Sequence, residues 1–358
     1  MRRIVVCIAC IAGLGVLVGC GGSSGGGGGS STSTTTAQKV SGPVNVSTWG
    51  GVWTDGEQRD FGTPFTQETG VKVNYQVAGT SPMAPALLQA QSGNVSLDVV
   101  DAENAEVLRA RGLLATFPPD LMQTIQSTSR PGTYLPYVLN LGSTATVIAC
   151  NPSVMKRCPT TPQQFWDVKD YPGPRAILNQ PSNALYFALV ADGVAPDRVF
   201  PMDLNRGIKK LQEIKPSVKV WPSSGSDQQQ ALIDKTVGAA IMWNGRAFVV
   251  KRDNIPNLQI SWTDALTSRS DGLVVLKDAP HKDAAFAYIR WILEHPRNQA
   301  AWTQSLTYPT PTTQLEQLVP RSIWEALPAS HQVVKQDDAW LAAHTADIQR
   351  VWQGLLAG

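Results

Sequence analysis

Two runs of short strands alternating with short helices, separated by a turn-rich stretch, constrain this chain more than any other feature. In residues 44–48, Val44, Val46 and Thr48 alternate with Asn45 and Ser47, the period of a strand with one buried face. Residues 71–77 alternate in the same way, and residues 97–100 form a third, fully apolar run. Helical patterns lie between them. Thr54 and Glu57 stand at capping-box spacing and open the first helix. Gly62 and Pro64 interrupt it, Thr63 is placed to cap its resumption, and Gly70 ends it. Ser81-Pro82 opens a second helix that closes at Gly93, and a third runs from Asn104 to Arg111-Gly112. A β-α-β-α-β-α order with short connections predicts a parallel sheet with right-handed crossovers.

Residues 118–136 read as irregular and turn-rich, and residues 143–149 as an apolar, β-branched strand. A second alternation follows. Thr161-Pro162 caps a helix holding Phe165 and Trp166, and strands are expected at 176–178, 218–220, 239–242, 258–262 and 272–276. Helices are expected at 182–192, 204–214, 226–234, 282–294 and 296–304. Tyr308-Pro309-Thr310-Pro311 breaks the chain, and the remainder reads as helical to Leu356. No internal repeat is visible. The 358 residues are enough for two α/β lobes with real cores, joined by extended crossings.

Met1-Arg2-Arg3 followed by an apolar stretch over residues 4–18 has signal-peptide form and is too short to span a bilayer comfortably. It ends in Leu17-Val18-Gly19-Cys20, which is similar to the bacterial lipobox and implies cleavage after residue 19 and a lipidated Cys20. Residues 20–42, nearly all Gly, Ser and Thr up to Gln38, read as a flexible tether. The expected location is therefore outside the cytoplasm, as a membrane-anchored lipoprotein of a periplasm or cell surface. Arg2 and Arg3 account for the formal net charge of +2, so the mature chain is near neutral and carries no nucleic-acid footprint. Of the five cysteines, Cys7 and Cys10 leave with the signal and Cys20 takes lipid. Cys150 and Cys158 remain, an even pair in an exported protein, read as a disulfide over two free thiols.

The strand ends carry the candidate chemistry. The first runs into Trp49-Gly50-Gly51, where an aromatic face is followed by two residues that let a ligand approach the backbone. The third runs into Asp101-Ala102-Glu103-Asn104, whose acids are either ligand contacts or ordinary helix-start acids. Residues 239–242 lead into Trp243-Asn244-Gly245-Arg246. In open α/β sheets ligands bind at such carboxyl ends. Asp98 reads as a strand-end residue tying down its loop rather than half of a glycosidase carboxylate pair. The remaining tryptophans, Trp53 and Trp302 among them, read as core packing. His281, His295, His331 and His344 form no metal-ligand motif with each other or with cysteine, so no metal or cofactor is expected.

These residues resemble the periplasmic substrate-binding components of ABC importers, in the spermidine/putrescine-binding branch. The resemblance runs from Val44 to about Thr313. It rests on Val46 to Gly51, Phe65-Thr66-Gln67-Glu68-Thr69-Gly70-Val71, Leu97 to Leu114, Phe165-Trp166-Asp167, Tyr171-Pro172-Gly173-Pro174-Arg175, Ile241 to Arg246 and Tyr308-Pro309-Thr310-Pro311. It implies a type II periplasmic binding protein fold, two α/β lobes that close on ligand, each a mostly parallel sheet flanked by helices. The implied division is an N-lobe over 43–142, a C-lobe over 143–268, a return of the N-lobe over 269–312 and C-terminal helices over 313–358. It implies ligand contacts from Trp49, Asp101, Glu103, Trp243, Asp271 and Tyr308, to which their places at the strand ends add Gly50, Gly51 and Arg246. It further implies a monomer that hands a small amine to a membrane permease. The polyamine pattern is incomplete. Pro181-Ser182-Asn183-Ala184 lacks the acids expected there, Arg269 replaces an aromatic, and Gly51 replaces an acid. The missing acids argue for a small amine, with an ω-amino acid such as γ-aminobutyrate beside a short polyamine. No Gly-x-Ser-x-Gly, His-Glu-x-x-His or P-loop is present, which leaves a secreted α/β hydrolase of unrecognised type as the other class.

Overall fold

The computed structural model describes residues 41–79 and 81–357, with 268–270 and 329 followed for backbone course only. The signal segment, Cys20 and the tether up to residue 40 lie outside the described residues. The chain begins with β1 (Val44–Thr48), α1 (Val52–Glu57), α2 (Thr63–Thr69), β2 (Val73–Val77), α3 (Met83–Ser92), β3 (Val99–Glu103), α4 (Asn104–Arg109), α5 (Pro119–Thr128) and β4 (Tyr134–Leu135). Gly70 and Gly93 end α2 and α3 in the left-handed conformation, as their placement predicts.

Three local expectations fail. The first helix begins at Val52 with Gly51 at its N-cap, so Thr54 lies inside it. Its hydroxyl accepts from Gly50 N at 2.9 Å, and Glu57 reaches across to accept from Thr48 Oγ1. The capping box does not form because both side chains have partners on the strand end. Thr63 is helical rather than a cap, because a π-helical turn over Gln58–Gly62 carries α1 into α2 without a break. Residues 118–136 are not wholly irregular. Pro119 fits the first turn of α5, and Leu121 and Ile125, one turn apart, are buried.

The second half holds β5 (Val138–Cys150), α6 (Pro162–Trp166), β6 (Arg175–Ile177), α7 (Pro181–Ala191), α8 (Leu204–Ile214), β7 (Val218–Val220), α9 (Gly225–Ile233), β8 (Ala239–Trp243) and α10 (Asn244–Asp253). Then come β9 (Gln259–Val275), α11 (Lys282–Glu294), α12 (Pro296–Leu306), α13 (Leu315–Leu318), α14 (Arg321–Trp324), β10 (Val334–Lys335) and α15 (Asp338–Ala357). Side-chain caps start four of these helices, α15 among them through Asp337, which accepts from Trp340 N at 2.9 Å. Thr161 accepts from Gln164 N, Asp203 from Arg206 N and Ser224 from Asp227 N.

The strands form one sheet in the order β2-β1-β3-β9-β5-β8-β6-β7. The outer strands pair in parallel within each lobe, β2-β1-β3 on one side and β8-β6-β7 on the other. The central pair, β5 and β9, is antiparallel and runs through both lobes. The two strands expected at 258–262 and 272–276 are thus the ends of a single strand. Register shifts break the β5–β9 ladder between Asn140, Gly142 and Thr144, which is where a bend is easiest to accommodate. One core lies around β1, β3, α2 and α11, and two more lie on the faces of the second lobe's strands.

The carboxyl-terminal segment is not purely helical. β10 adds to β9 in parallel at Leu266 and Thr267. α15 then packs against α4 of one lobe and α7 and α8 of the other. Trp352 Nε1 donates to Asn179 Oδ1 at 2.7 Å, and Lys215 Nζ to the Leu355 carbonyl at 2.6 Å. Cys150 and Cys158 are joined by a disulfide that closes the loop after β5. Among the described residues no helix is long and apolar enough to cross a membrane.

Candidate ligand-binding cleft

The cleft is made by strand ends from both lobes meeting over the β5–β9 crossing. β1 delivers Trp49, Gly50 and Gly51. Both glycines have positive φ, and a Cβ on Gly51 would stand 2.2 Å from Ser226 Oγ of α9, so the opposing lobe leaves no room for a side chain. β3 delivers Asp101 and Glu103, two residues apart and therefore on one face of the sheet. Glu103 lies directly opposite Asp271 on β9. β8 ends at Trp243, and α10 brings Arg246 round in its first turn.

Trp49 and Trp243, one from each lobe, meet edge to face with ring centroids 6.0 Å apart. Arg246 is 1 % exposed, and its guanidinium reaches the Gly50 carbonyl of the first lobe. Its Nη2 donates to the Gly50 carbonyl at 2.9 Å and its Nη1 to Gln229 Oε1 at 3.3 Å, while Nε has no partner. Gly225 makes that position possible, since a Cβ there would lie 2.3 Å from Arg246 Nε. Tyr308 packs on the start of α10, where a Gly245 Cβ would fall 2.3 Å from its ring.

Four carboxyl groups, Asp101, Asp271, Glu57 and Glu103, lie close enough to repel one another, and Asp271 also feels Arg246. Trp53 Nε1 donates to Asp101 Oδ2 at 2.6 Å, and Asp101 Oδ1 has no partner. Burial pushes the Asp101 carboxyl up to about 7, although the hydrogen bond from Trp53 opposes the shift. Burial also raises Asp271 well above the ordinary carboxylate range. Repulsion from Asp101, Glu103 and Glu57 adds to the shift, and only Arg246 opposes it. Glu57 is raised by burial and by Asp101, against its hydrogen bond from Thr48. Glu103 is raised to about 8 by burial and by Glu106, while Gln180, which donates to it from the other lobe, pulls it down. Arg246 is pushed down by burial, offset by Tyr308, Asp271 and Asp55.

Several of the buried polar atoms left without partners among the described residues lie here. They include Trp49 Nε1, Asp101 Oδ1, Gln228 Nε2, Arg246 Nε, Asp271 Oδ2 and Tyr308 Oη. Native interiors rarely leave such groups unpaired. Of the residues singled out from sequence, Trp49, Gly50, Gly51, Asp101, Trp243, Arg246, Asp271 and Tyr308 converge on this cleft, with Glu103 at its margin. Glu57, Trp53, Gly225 and Gln228 also belong to it and were not singled out. Trp53 packs edge to face on Trp302 at 4.7 Å and so is a core residue, but it also holds Asp101. Asp98 is structural. It accepts from Asn45 N and His281 N and ties β1 to the start of α11.

A continuous sheet through two α/β lobes, with buried groups from both converging on the crossing, defines a type II periplasmic binding protein, a molecule that captures small solutes. The bacterial extracellular solute-binding protein family model matches residues 61–331, and the chain belongs to that family. It is a substrate-binding protein of the ABC-importer kind, which places it outside the cytoplasm. It is 27% identical over 307 residues to the γ-aminobutyric acid-binding protein of Pseudomonas aeruginosa, covering 82% of this chain and 84% of that one. It is 21% identical over 281 residues to the spermidine/putrescine-binding periplasmic protein of Escherichia coli, covering 75% and 78%. A solved GABA receptor is 26% identical and superposes with a TM-score of 0.77 over 87% of this chain and 97% of that one.

Proposed function

We propose that this protein captures a small zwitterionic amine, an ω-amino acid of the γ-aminobutyrate class, between its lobes and delivers it to a membrane permease. The observation that carries the reading is the buried Arg246 guanidinium in one site with Asp271, which in turn lies near Asp101. Opposite charges held apart in one site match a ligand with a carboxylate at one end and an ammonium at the other. In this reading Asp271, with Asp101 or Glu103, receives the ammonium. Trp49 and Trp243 flank the methylenes and the cation. Arg246 takes the carboxylate, through its free Nε and through an Nη1 held only by the long Gln229 contact. Gly50, Gly51 and Tyr308 form the walls. The names of the relatives support this ligand class.

A short polyamine is the second reading. Four acidic groups against one arginine favour a cation in excess of an anion, and the similarity to spermidine/putrescine binders points the same way. Calorimetry with γ-aminobutyrate, putrescine and spermidine separates the two. Under the zwitterion reading Arg246→Ala abolishes γ-aminobutyrate binding and Asp271→Asn weakens every amine. Tight putrescine binding that survives Arg246→Ala overturns it in favour of the polyamine.

We further propose lobe boundaries at 142/143 and 268/269, within the crossing strands, and a monomer anchored through lipid on Cys20. Replacing Cys20 with Ser then moves the protein from the membrane to the soluble fraction, and identical fractionation refutes the anchor.

A further inference from the structure

A second cavity, of about 350 Å3, abuts the crossing strands away from the cleft residues. Arg130, Thr133, Asn140, Gly142, Ser143 and Thr267 line it, so both β5 and β9 contribute walls at the point where their register shifts. Among the described residues Arg130 is the one charged side chain in the lining. Its position is fixed by the chain. Its backbone N–H donates to the Pro311 carbonyl at 2.8 Å and its Nη2 to the Thr310 carbonyl at 2.6 Å. Its Nε is buried and has no partner. Burial holds this guanidinium below its ordinary pKa, and no charge among the described residues offsets the effect. On the facing strand Thr267 is 9 % exposed and its hydroxyl also lacks a partner.

A half-buried guanidinium whose Nε is buried and unpartnered leaves a donor uncompensated, and an uncompensated hydroxyl adds to that cost. One bound group relieves both when it is anionic, small and rich in acceptor oxygens. We infer that this cavity is a small-oxyanion site, taking a sulfate, phosphate or carboxylate group between the Arg130 guanidinium and the Thr267 hydroxyl. The site is separate from the cleft and does not depend on which amine the cleft holds. It touches the cleft's machinery through the strand, because Gly142 in its wall lies opposite Asp271.

The test is thermal denaturation of the purified protein titrated with sodium sulfate, sodium phosphate or sodium acetate, with sodium chloride holding ionic strength constant. At least one oxyanion should raise Tm along a saturating curve that chloride does not reproduce. Arg130→Gln should remove the saturating component. Because this variant also loses the bond to Thr310 and can fail to fold, Thr267→Val provides a second arm. It keeps the side-chain shape and should weaken the apparent affinity about tenfold, the usual order for one hydrogen bond to a charged group. A rise that chloride matches, no saturating rise in the wild type, or saturation unchanged in the folded variants overturns the site.

Discussion

Amine binding should strengthen as pH rises through neutrality, and the size of the effect follows from Asp101. Its carboxyl, raised to about 7 by burial, is mostly protonated on the acid side of neutrality. An aliphatic ammonium keeps its charge throughout this window, and so does an arginine. Ionic pairing requires the carboxylate, so binding expels a proton. The association constant then scales as the ionised fraction, and one group of this pKa tightens Kd about tenfold between about pH 6 and about pH 8. Glu103, raised to about 8, extends the rise to higher pH if it assists. Calorimetry with γ-aminobutyrate across this range gives Kd directly. Repeating each point in two buffers of different ionisation enthalpy counts the protons released. Asp101→Asn should weaken binding at high pH and flatten the profile. A Kd that is constant, or that tightens as pH falls, refutes the reasoning, as does binding with no proton exchange.

Glu57 offers a stability test. Its carboxyl is raised, so the fold favours the protonated form and loses stability as pH rises from the unfolded carboxylate range toward the folded pKa. Glu57→Gln should therefore lose less Tm than wild type between about pH 6 and about pH 9, as read by calorimetric melting; parallel curves count against the assignment. Gly245→Ala puts a methyl 2.2 Å from the Leu306 carbonyl, and urea unfolding should show a loss of about 1–3 kcal/mol. Gly225→Ala should displace Arg246 and cost γ-aminobutyrate affinity with little change in the far-ultraviolet circular dichroism; unchanged affinity would separate Arg246 from the ligand. Replacing Cys150 and Cys158 with Ser should cost about 2–3 kcal/mol, the chain-entropy value for so short a loop.

The strand ends were readable because each is a local pattern. Trp49-Gly50-Gly51, Asp101 through Glu103 and Trp243 through Arg246 each follow an apolar run directly, and the topology gathers such ends on one edge. What sequence reading missed is non-local. Trp53 looks like any buried indole until its nitrogen is seen on Asp101, 48 residues away. Glu57 carries the signature of a capping residue, but its true partner is Thr48 on the preceding strand. Gln228 and Gly225 lie on α9, and only the packing of that helix against α10 brings them to Arg246. The short pieces were hard for another reason. β10 has two residues and exists because β9 offers an edge, and α5 hides behind two prolines that also suit a turn.

The passage of β5 through both lobes gives the molecule a built-in optical reporter. A Cβ on Gly142, at the bend, would lie 3.0 Å from the outer ring atoms of both Trp53 and Trp302. Any flexing of the strand there must slide past two indoles in contact, one of which is bonded to Asp101. Solute arrival and lobe movement therefore converge on the same pair of chromophores. Native tryptophan emission should report capture in real time, without an attached dye, and Trp53→Phe should silence much of that signal.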